Sequence, residues 1–169
     1  WPTVYEGLSN LPDEVQKSWF GFDHFYSDSS FPEALEIIFK KNKSLTLYDV
    51  GGNTGKWALQ CVNYDSKVEV TVLDLPQQIE MMQSNVSGKI GAERICGYGI
   101  WRIQFLDCCS RNEIVSILLR AREAMTEKTR IYIMETLWDR QRYEPAAFCL
   151  TMTSLYFTSI ANGNSKMYN

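Results

Sequence analysis

Two acids and three glycines stand where a chain of this kind can bind a nucleoside. Gly51, Gly52 and Gly55 follow the β-prone run Leu45 to Val50, and Asp49 lies at the end of that run. Glycines let a backbone take positive φ and come close to a ligand. Asp74 closes a second β-prone run, Val68 to Leu73, where a carboxylate can accept both hydroxyls of a ribose. A Walker phosphate loop needs four residues between its glycines and then Lys-Ser/Thr. Here three separate Gly51 from Gly55, and Lys56 is followed by Trp57, which excludes that reading. A dinucleotide turn requires G-x-G-x-x-G; Val50 to Gly55 departs from it and places an acid in a strand end that is normally apolar. An acid directly before the glycines suits a cationic ligand that carries no pyrophosphate. The alternative is a glycine turn with no ligand, against which the two acids and the order of elements agree.

The elements that must position these residues follow from hydrophobic spacing. Residues 1–30 are rich in aromatics (Trp1, Tyr5, Trp19, Phe20, Phe22, Phe25, Tyr26) without a sustained period, which predicts short helices and turns. Ser30-Phe31-Pro32-Glu33 has the form of a helix start, with Phe31, Leu35, Ile38 and Phe39 on one face and Lys40-Lys41-Asn42-Lys43 as its solvated basic end. Residues 1–40 thus form an aromatic-rich helical cover and linker, and 41–169 the main domain. Strand, glycine turn and a helix over Lys56 to Tyr64 come next, followed by the strand Val68 to Leu73 and a helix over Gln77 to Val86. The order βαβα predicts a doubly wound, mostly parallel sheet with helices on its faces.

Arg94 to Cys96 reads as a third strand and Ile100 to Leu106 as a fourth, with only Gly97-Tyr98-Gly99 between them. A parallel crossover needs about a dozen residues or more, so either one of these strands is not a strand or, the favoured reading, a segment is missing near Gly99 and Ile100. Ser110 to Glu113 is a capping box opening a helix whose core face is Ile114, Ile117, Leu118, Ala121 and Met125. Arg130 to Met134 reads as a fifth strand ending at Glu135. A helix beginning at Pro145 is apolar almost all the way round, as expected of one that is deeply buried or lines a pocket or a dimer contact.

The 169 residues bound this to about one domain, and 45% apolar with 22% charged residues is a globular composition. The net charge of −3 offers no broad attraction for a polyphosphate, so nucleic acid is not the expected partner. No apolar run approaches the roughly 18 residues of a membrane span. Five cysteines without a C-x-x-C pair suggest free thiols in a reducing cytoplasm, with neither zinc nor a disulfide framework.

S-adenosylmethionine, with its sulfonium and amino group, is a cationic ligand of the required kind. Asp49-Val50-Gly51-Gly52-Asn53-Thr54-Gly55, then Asp74-Leu75-Pro76, then Phe105-Leu106-Asp107 running into Ser110 and Glu113, then Tyr132-Ile133-Met134-Glu135 resembles the S-adenosylmethionine-dependent O-methyltransferases of the caffeate and hydroxyindole type. The resemblance covers roughly residues 25–169. It implies a class I methyltransferase fold, with an N-terminal winged-helix dimerisation domain and C-terminal strands lying outside this sequence, and a homodimer formed through the former. It makes Gly51, Gly52, Asn53 and Gly55, beside Asp49, the wall under the methionine part, and Asp74 and Leu75 the ribose and adenine contacts. Tyr26 is a further cofactor contact. Phe31 and Leu35 match the family's F-x-x-x-M pair near the methyl group, and Trp138, Met152 and Tyr156 become lining for a flat apolar acceptor. The family's G-D-M-F stretch, due after Gly99, is absent, which again points to a missing segment.

O-methylation is an in-line displacement, so the protein positions the reactants and removes a proton from the acceptor hydroxyl. The family's base is the histidine of an H-x-x-H-D-W stretch; the matching residues Gln104 to Cys109 put Asp107 at that position and Cys109 where a Trp packs beside adenine. The single histidine, His24, reads as structural. Glu135 corresponds to the acid that orients the histidine, and two facing carboxylates raise one pKa, which helps a general base. For Asp107 the alternative is a helix-dipole role. In the family's G-G-x-E-R stretch Ser165 replaces the acid. The expected activity is methyl transfer to a hydroxyl of a small aromatic or conjugated acceptor. The alternatives are a cofactor-binding scaffold that has lost its chemistry and a nicotinamide oxidoreductase, the latter on the sheet and Asp74 alone.

Overall fold

The computed structural model describes residues 4–100, 106–161 and 166–168, without the side chains at positions 6, 9 and 23–26. In chain order the elements are α1 (Val4–Gly7), α2 (Asp13–Ser27), α3 (Phe31–Leu35), β1 (Thr46–Val50), α4 (Lys56–Tyr64), β2 (Glu69–Asp74), α5 (Pro76–Val86), β3 (Ile95–Gly99), α6 (Arg111–Ala124) and α7 (Glu144–Ile160), with short 3-10 turns between several of them. They form two compact units, one of Ser9–Ile103 and one of Trp1–Leu8 with Gln104–Asn169.

The first unit is the βαβαβ part that the hydrophobic spacing predicts. Its sheet has three parallel strands in the order β1-β2-β3, with Thr46 opposite Glu69 and Val70 opposite Ile95. Val68, Val70 and Val72 are essentially inaccessible to solvent. They alternate along β2 with half-buried residues, the signature of one face packed on a core. That face carries α4 through Ala58, Cys61 and Val62, and α5 through Ile79, Met82 and Val86, all buried. Gly97 lets α5 approach: a methyl there would lie 2.6 Å from Ile79 Cγ2 and 2.8 Å from Met82 Cε. Arg94 closes the rear of the unit, its guanidinium donating to the carbonyls of Val62 (2.8 Å), Asp65 and Val68 (both 3.2 Å). The opposite face, with Tyr48 and Tyr98 about two-thirds exposed, carries neither α4 nor α5.

Several expectations are corrected. The first 30 residues hold a 15-residue helix, α2, rather than only short helices and turns; Pro12 and the acids Asp13 and Glu14 start it. Ser30 makes no capping bond to α3, because the chain is already turning through 28–30 and Ser30 has helical angles. Beyond Leu35 the helix widens into a π-turn over Glu36–Lys41 that keeps Ile38 and Phe39 buried. Gly97 to Gly99 are part of β3 and not a connection, and Ile100 extends the ladder by donating to the Asp74 carbonyl at 2.8 Å. The expected fourth strand falls mostly on residues 101–105, outside the described residues.

In the second unit Arg130 to Met134 pairs with no strand among the described residues, and Ile131, Ile133 and Met134 are about half exposed. Strand propensity without a neighbouring ladder yields only extended chain. The predicted core face of α6 is half-buried at Ile114, Leu118, Ala121 and Met125 and exposed at Ile117, so no residue of this helix is fully buried. Its capping box forms as expected, Ser110 and Glu113 bonding reciprocally. α7 buries Leu150 and Phe157 but exposes Phe148, Met152, Leu155 and Tyr156.

Candidate functional site

The glycine turn owes its shape to three residues in the left-handed region, Gly51 (φ 76°), Asn53 (φ 48°) and Gly55 (φ 76°). Asn is among the few non-glycine residues that tolerate it. Gly51 N–H donates to the Leu73 carbonyl at 2.7 Å, continuing the ladder into the turn, and Gly55 N–H returns to the Gly52 carbonyl at 2.9 Å. Gly55 then leads into α4. A methyl on Gly55 would meet Met82 Cγ at 2.6 Å and Val86 Cγ1 at 2.9 Å, so close packing on α5 adds to the φ requirement.

The structure brings Asp74 to this turn. Its Oδ2 accepts the Asn53 N–H at 2.8 Å and its Oδ1 the Leu75 N–H at 2.7 Å. Burial raises the carboxyl above the usual range while the two amide bonds pull it back. A carboxylate has about four lone-pair sites, so two amide bonds leave one on each oxygen for a further donor. Asp49 lies behind the turn: a methyl at Gly52 would fall on its carboxyl group and 2.7 Å from Val72 Cγ1. Asp49 Oδ2 is shut off from solvent and has no hydrogen-bond partner among the described residues. Burial, and then the nearby Asp74, push its carboxyl up to about 7. An unpartnered acidic oxygen and a doubly anchored acid with spare lone pairs beside a left-handed turn form an arrangement that a cationic nucleoside fits.

Phe31 and Leu35 are placed beside α4 and are buried, Phe31 packing on Trp57 with ring centroids 4.9 Å apart. An ion pair between Lys56 and Asp28 ties the start of α4 to the turn before α3. Both were absent from the reading of the residues, since nothing in the spacing links Asp28 to Lys56. Tyr26 lies in α2, but its side chain is outside the described residues, as is that of His24.

The second unit holds the other predicted acids and brings them together. The main-chain amides of Asp107 and Thr136 lie close enough to the Glu135 carboxyl to pull its pKa down. Burial, and then Asp107, push its carboxyl up to about 7. Burial also raises the Asp107 carboxyl, against bonds from the Cys108 thiol and from the Asp107 and Cys108 amides. The thiol lies 3.4 Å from Asp107 Oδ1. Cys108 and Cys109 are both nearly inaccessible, and burial pushes the Cys109 thiol up to about 11. Asp107 lies in a 3-10 turn (Leu106–Cys108), not in the first turn of α6. Trp138, Met152 and Tyr156 are each about half exposed on this unit. Ser165 lies outside the described residues.

Among the described residues no group of three or more His, Cys, Asp or Glu is placed to hold a metal, and no helix is long and apolar enough to cross a membrane. All five cysteines are free; Cys61, Cys108 and Cys109 are buried and Cys96 and Cys149 exposed.

No family model matches the sequence, and no curated protein matches it. Solved structures do. The mitomycin 7-O-methyltransferase superimposes with a TM-score of 0.72 at 17% identity, over 98% of this chain and 51% of that one. An O-methyltransferase from neocarzinostatin biosynthesis, solved with S-adenosylmethionine and 2-hydroxy-5-methyl naphthoic acid, gives 0.65 at 17% over 98% and 51%. Human N-acetylserotonin methyltransferase, solved with S-adenosylmethionine, gives 0.63 at 16% over 82% and 42%. The chain spans about half the length of these proteins. At such identities the likeness is one of architecture, and the chain has the class I methyltransferase fold seen in these O-methyltransferases.

Proposed function

We propose that the protein is an S-adenosylmethionine-dependent methyltransferase that acts on a hydroxyl of a small aromatic or conjugated acceptor. The observation that carries this reading is Asp74, whose Oδ2 holds the Asn53 amide of the glycine turn and whose Oδ1 holds the Leu75 amide, each keeping one site for a ribose hydroxyl. Asp49 complements it: a buried oxygen without a partner matches a ligand whose reactive end is cationic. Bound there, S-adenosylmethionine supplies an electrophilic methyl on a sulfonium, and S-adenosylhomocysteine is its product.

Gly51, Gly52 and Gly55 present backbone without side-chain bulk, Asn53 completes the wall between them, Asp74 and Leu75 receive the ribose and adenine, and Tyr26 is a further contact in this reading. Asp107 accepts the proton of the acceptor hydroxyl. Glu135 faces Asp107, and the charge of Asp107 raises the Glu135 carboxyl, so that the two acids share the hold on a proton. Phe31, Leu35, Trp138, Met152 and Tyr156 are the acceptor lining in this reading, since aromatic and thioether surfaces suit flat apolar molecules. The reading also places the protein in the cytoplasm as a homodimer.

A second reading keeps the pocket and drops the chemistry. It is favoured by Asp107, which stands where the resembling enzymes have a histidine and is already engaged by the Cys108 thiol. Calorimetric titration of the whole protein with S-adenosylhomocysteine, with NAD as control, tests the cofactor; a screen of phenolic and polyene acceptors then separates enzyme from scaffold. Preference for NAD would sink both readings in favour of an oxidoreductase, and no binding of either would leave the glycine turn a feature of the fold alone.

A further inference from the structure

Asp107 and Glu135 lie on segments that belong to neither a strand ladder nor a long helix among the described residues. A half-buried pair of acids on such chain needs a fastening, because each would otherwise move toward water. Residues 166–168 supply it. Lys166 N–H donates to the Asp107 carbonyl at 2.8 Å, and the Tyr168 hydroxyl donates to the Cys109 carbonyl at 2.8 Å. The Tyr168 carbonyl accepts the Trp138 N–H at 3.1 Å, three residues beyond Glu135. Met167 N–H donates to Ser154 Oγ on α7 at 2.8 Å, which moors the strap itself.

We propose that Tyr168 is a positioning residue for the Asp107 and Glu135 carboxyl pair, its hydroxyl holding the turn that carries Asp107 and its carbonyl holding the chain that follows Glu135. The importance of the pair rests on the proposed function; the fastening does not. The hydroxyl must stay protonated to donate. Its surroundings ensure this, since burial and the charges of Cys109, Asp107, Glu113 and Glu135 all raise its pKa. The Lys166 ammonium lies 5.1 Å from the ring centroid and holds the ring without competing for the hydroxyl's bond.

The test compares wild type with Tyr168→Phe in the whole protein, following the Glu135 side-chain carboxyl carbon by NMR over pH, with Glu135→Gln to assign the signal. Phenylalanine keeps the ring over Lys166 and loses only the bond to Cys109. The Glu135 titration should fall by about one pH unit as water reaches the pair. The acid limb of any turnover profile should move with it, and kcat should drop about tenfold at constant KM for S-adenosylmethionine. An unchanged Glu135 titration overturns the proposal whether or not the protein is active. Absence of S-adenosylhomocysteine binding in wild type sinks the methyltransferase reading instead and leaves the NMR comparison to decide on Tyr168. Should Tyr168→Phe fail to fold, wild-type hydrogen exchange decides: the Lys166 and Trp138 amides slowed together support the strap, and either one exchanging like free chain overturns it.

Discussion

The Glu135 carboxyl faces Asp107, 28 residues earlier, closely enough that the Asp107 main-chain amide pulls its pKa down while the Asp107 charge pushes it up. The same approach places two charges in each other's field inside a poorly solvated part of the chain. Neither can ionise as freely as it would alone, and the pair holds protons toward neutral pH.

Replacing Asp107 by Asn separates these roles. The main-chain amide near Glu135 survives while the acceptor for the substrate proton is lost. Turnover should fall about 10² to 10⁴-fold with S-adenosylhomocysteine affinity nearly unchanged, measured by steady-state kinetics beside calorimetry. The Glu135 titration should fall as well, because the repelling charge is gone. Equal rates in variant and wild type would leave positioning alone as the mechanism.

Asp74 carries a different burden, and its removal should be read in binding. Asp74→Ala removes the acceptor of two amide bonds together with the ribose contact, and cofactor affinity should weaken by about 1.5 to 3 kcal/mol. Asp74→Asn helps to interpret the loss: it keeps the volume and one carbonyl acceptor, and should bind between the two. Wild-type affinity in the alanine variant would remove the ribose assignment.

Much of this was legible in the residues. The period of apolar positions located β1, α4, β2 and α5 to within a residue or two, because all four lie in one local βαβα stretch whose core face repeats regularly. The turn of Gly51, Asn53 and Gly55 and the acid Asp74 at the end of β2 were legible because a left-handed turn and a strand-end acid carry their own local signal. Local signals failed where long-range pairing decides. Arg130 to Met134 has the composition of a strand and forms no ladder among the described residues, and β3 runs through Gly97 to Gly99 although glycines read as a turn. The Tyr168 hydroxyl reaches a carbonyl 59 residues away, which no spacing rule exposes.

Gly52 tests how tightly the turn is built. Its φ is not left-handed, so alanine is tolerated by the backbone; the obstacle is the Asp49 carboxyl and Val72 Cγ1, 2.7 Å from the added methyl. Val72 is fully buried and cannot give way cheaply. Gly52→Ala should cost about 1 to 3 kcal/mol in urea unfolding. It should weaken S-adenosylhomocysteine binding more than Gly88→Ala does, a left-handed glycine with open space around it. Equal effects at both positions would mean that the Asp49 and Val72 contacts do not constrain the turn.

Asp49 makes stability and binding depend on pH in opposite senses. Burial first and Asp74 second raise its folded carboxyl from 3.8 to about 7, and Cys61, whose own thiol is pushed up by burial and by Asp49, is the other titratable neighbour. Between these limits the unfolded chain has released a proton that the folded chain still holds. This contribution to stability is therefore complete below about pH 4, declines as pH rises, and is exhausted once pH passes about 7. Asp49→Asn cannot titrate, so the difference in melting temperature between variant and wild type should grow in favour of the variant from pH 4 to pH 7 and then level off; any constant offset from the amide leaves that slope intact. A cationic ligand favours the ionised form. Binding of S-adenosylmethionine near pH 6 should thus release a proton, seen as a heat that differs between buffers of different ionisation enthalpy, and Asp49→Asn should abolish the difference. A parallel pair of melting curves would show that Asp49 ionises as freely in the folded chain as in the unfolded one, and its unpartnered oxygen would then have no claim on a cation.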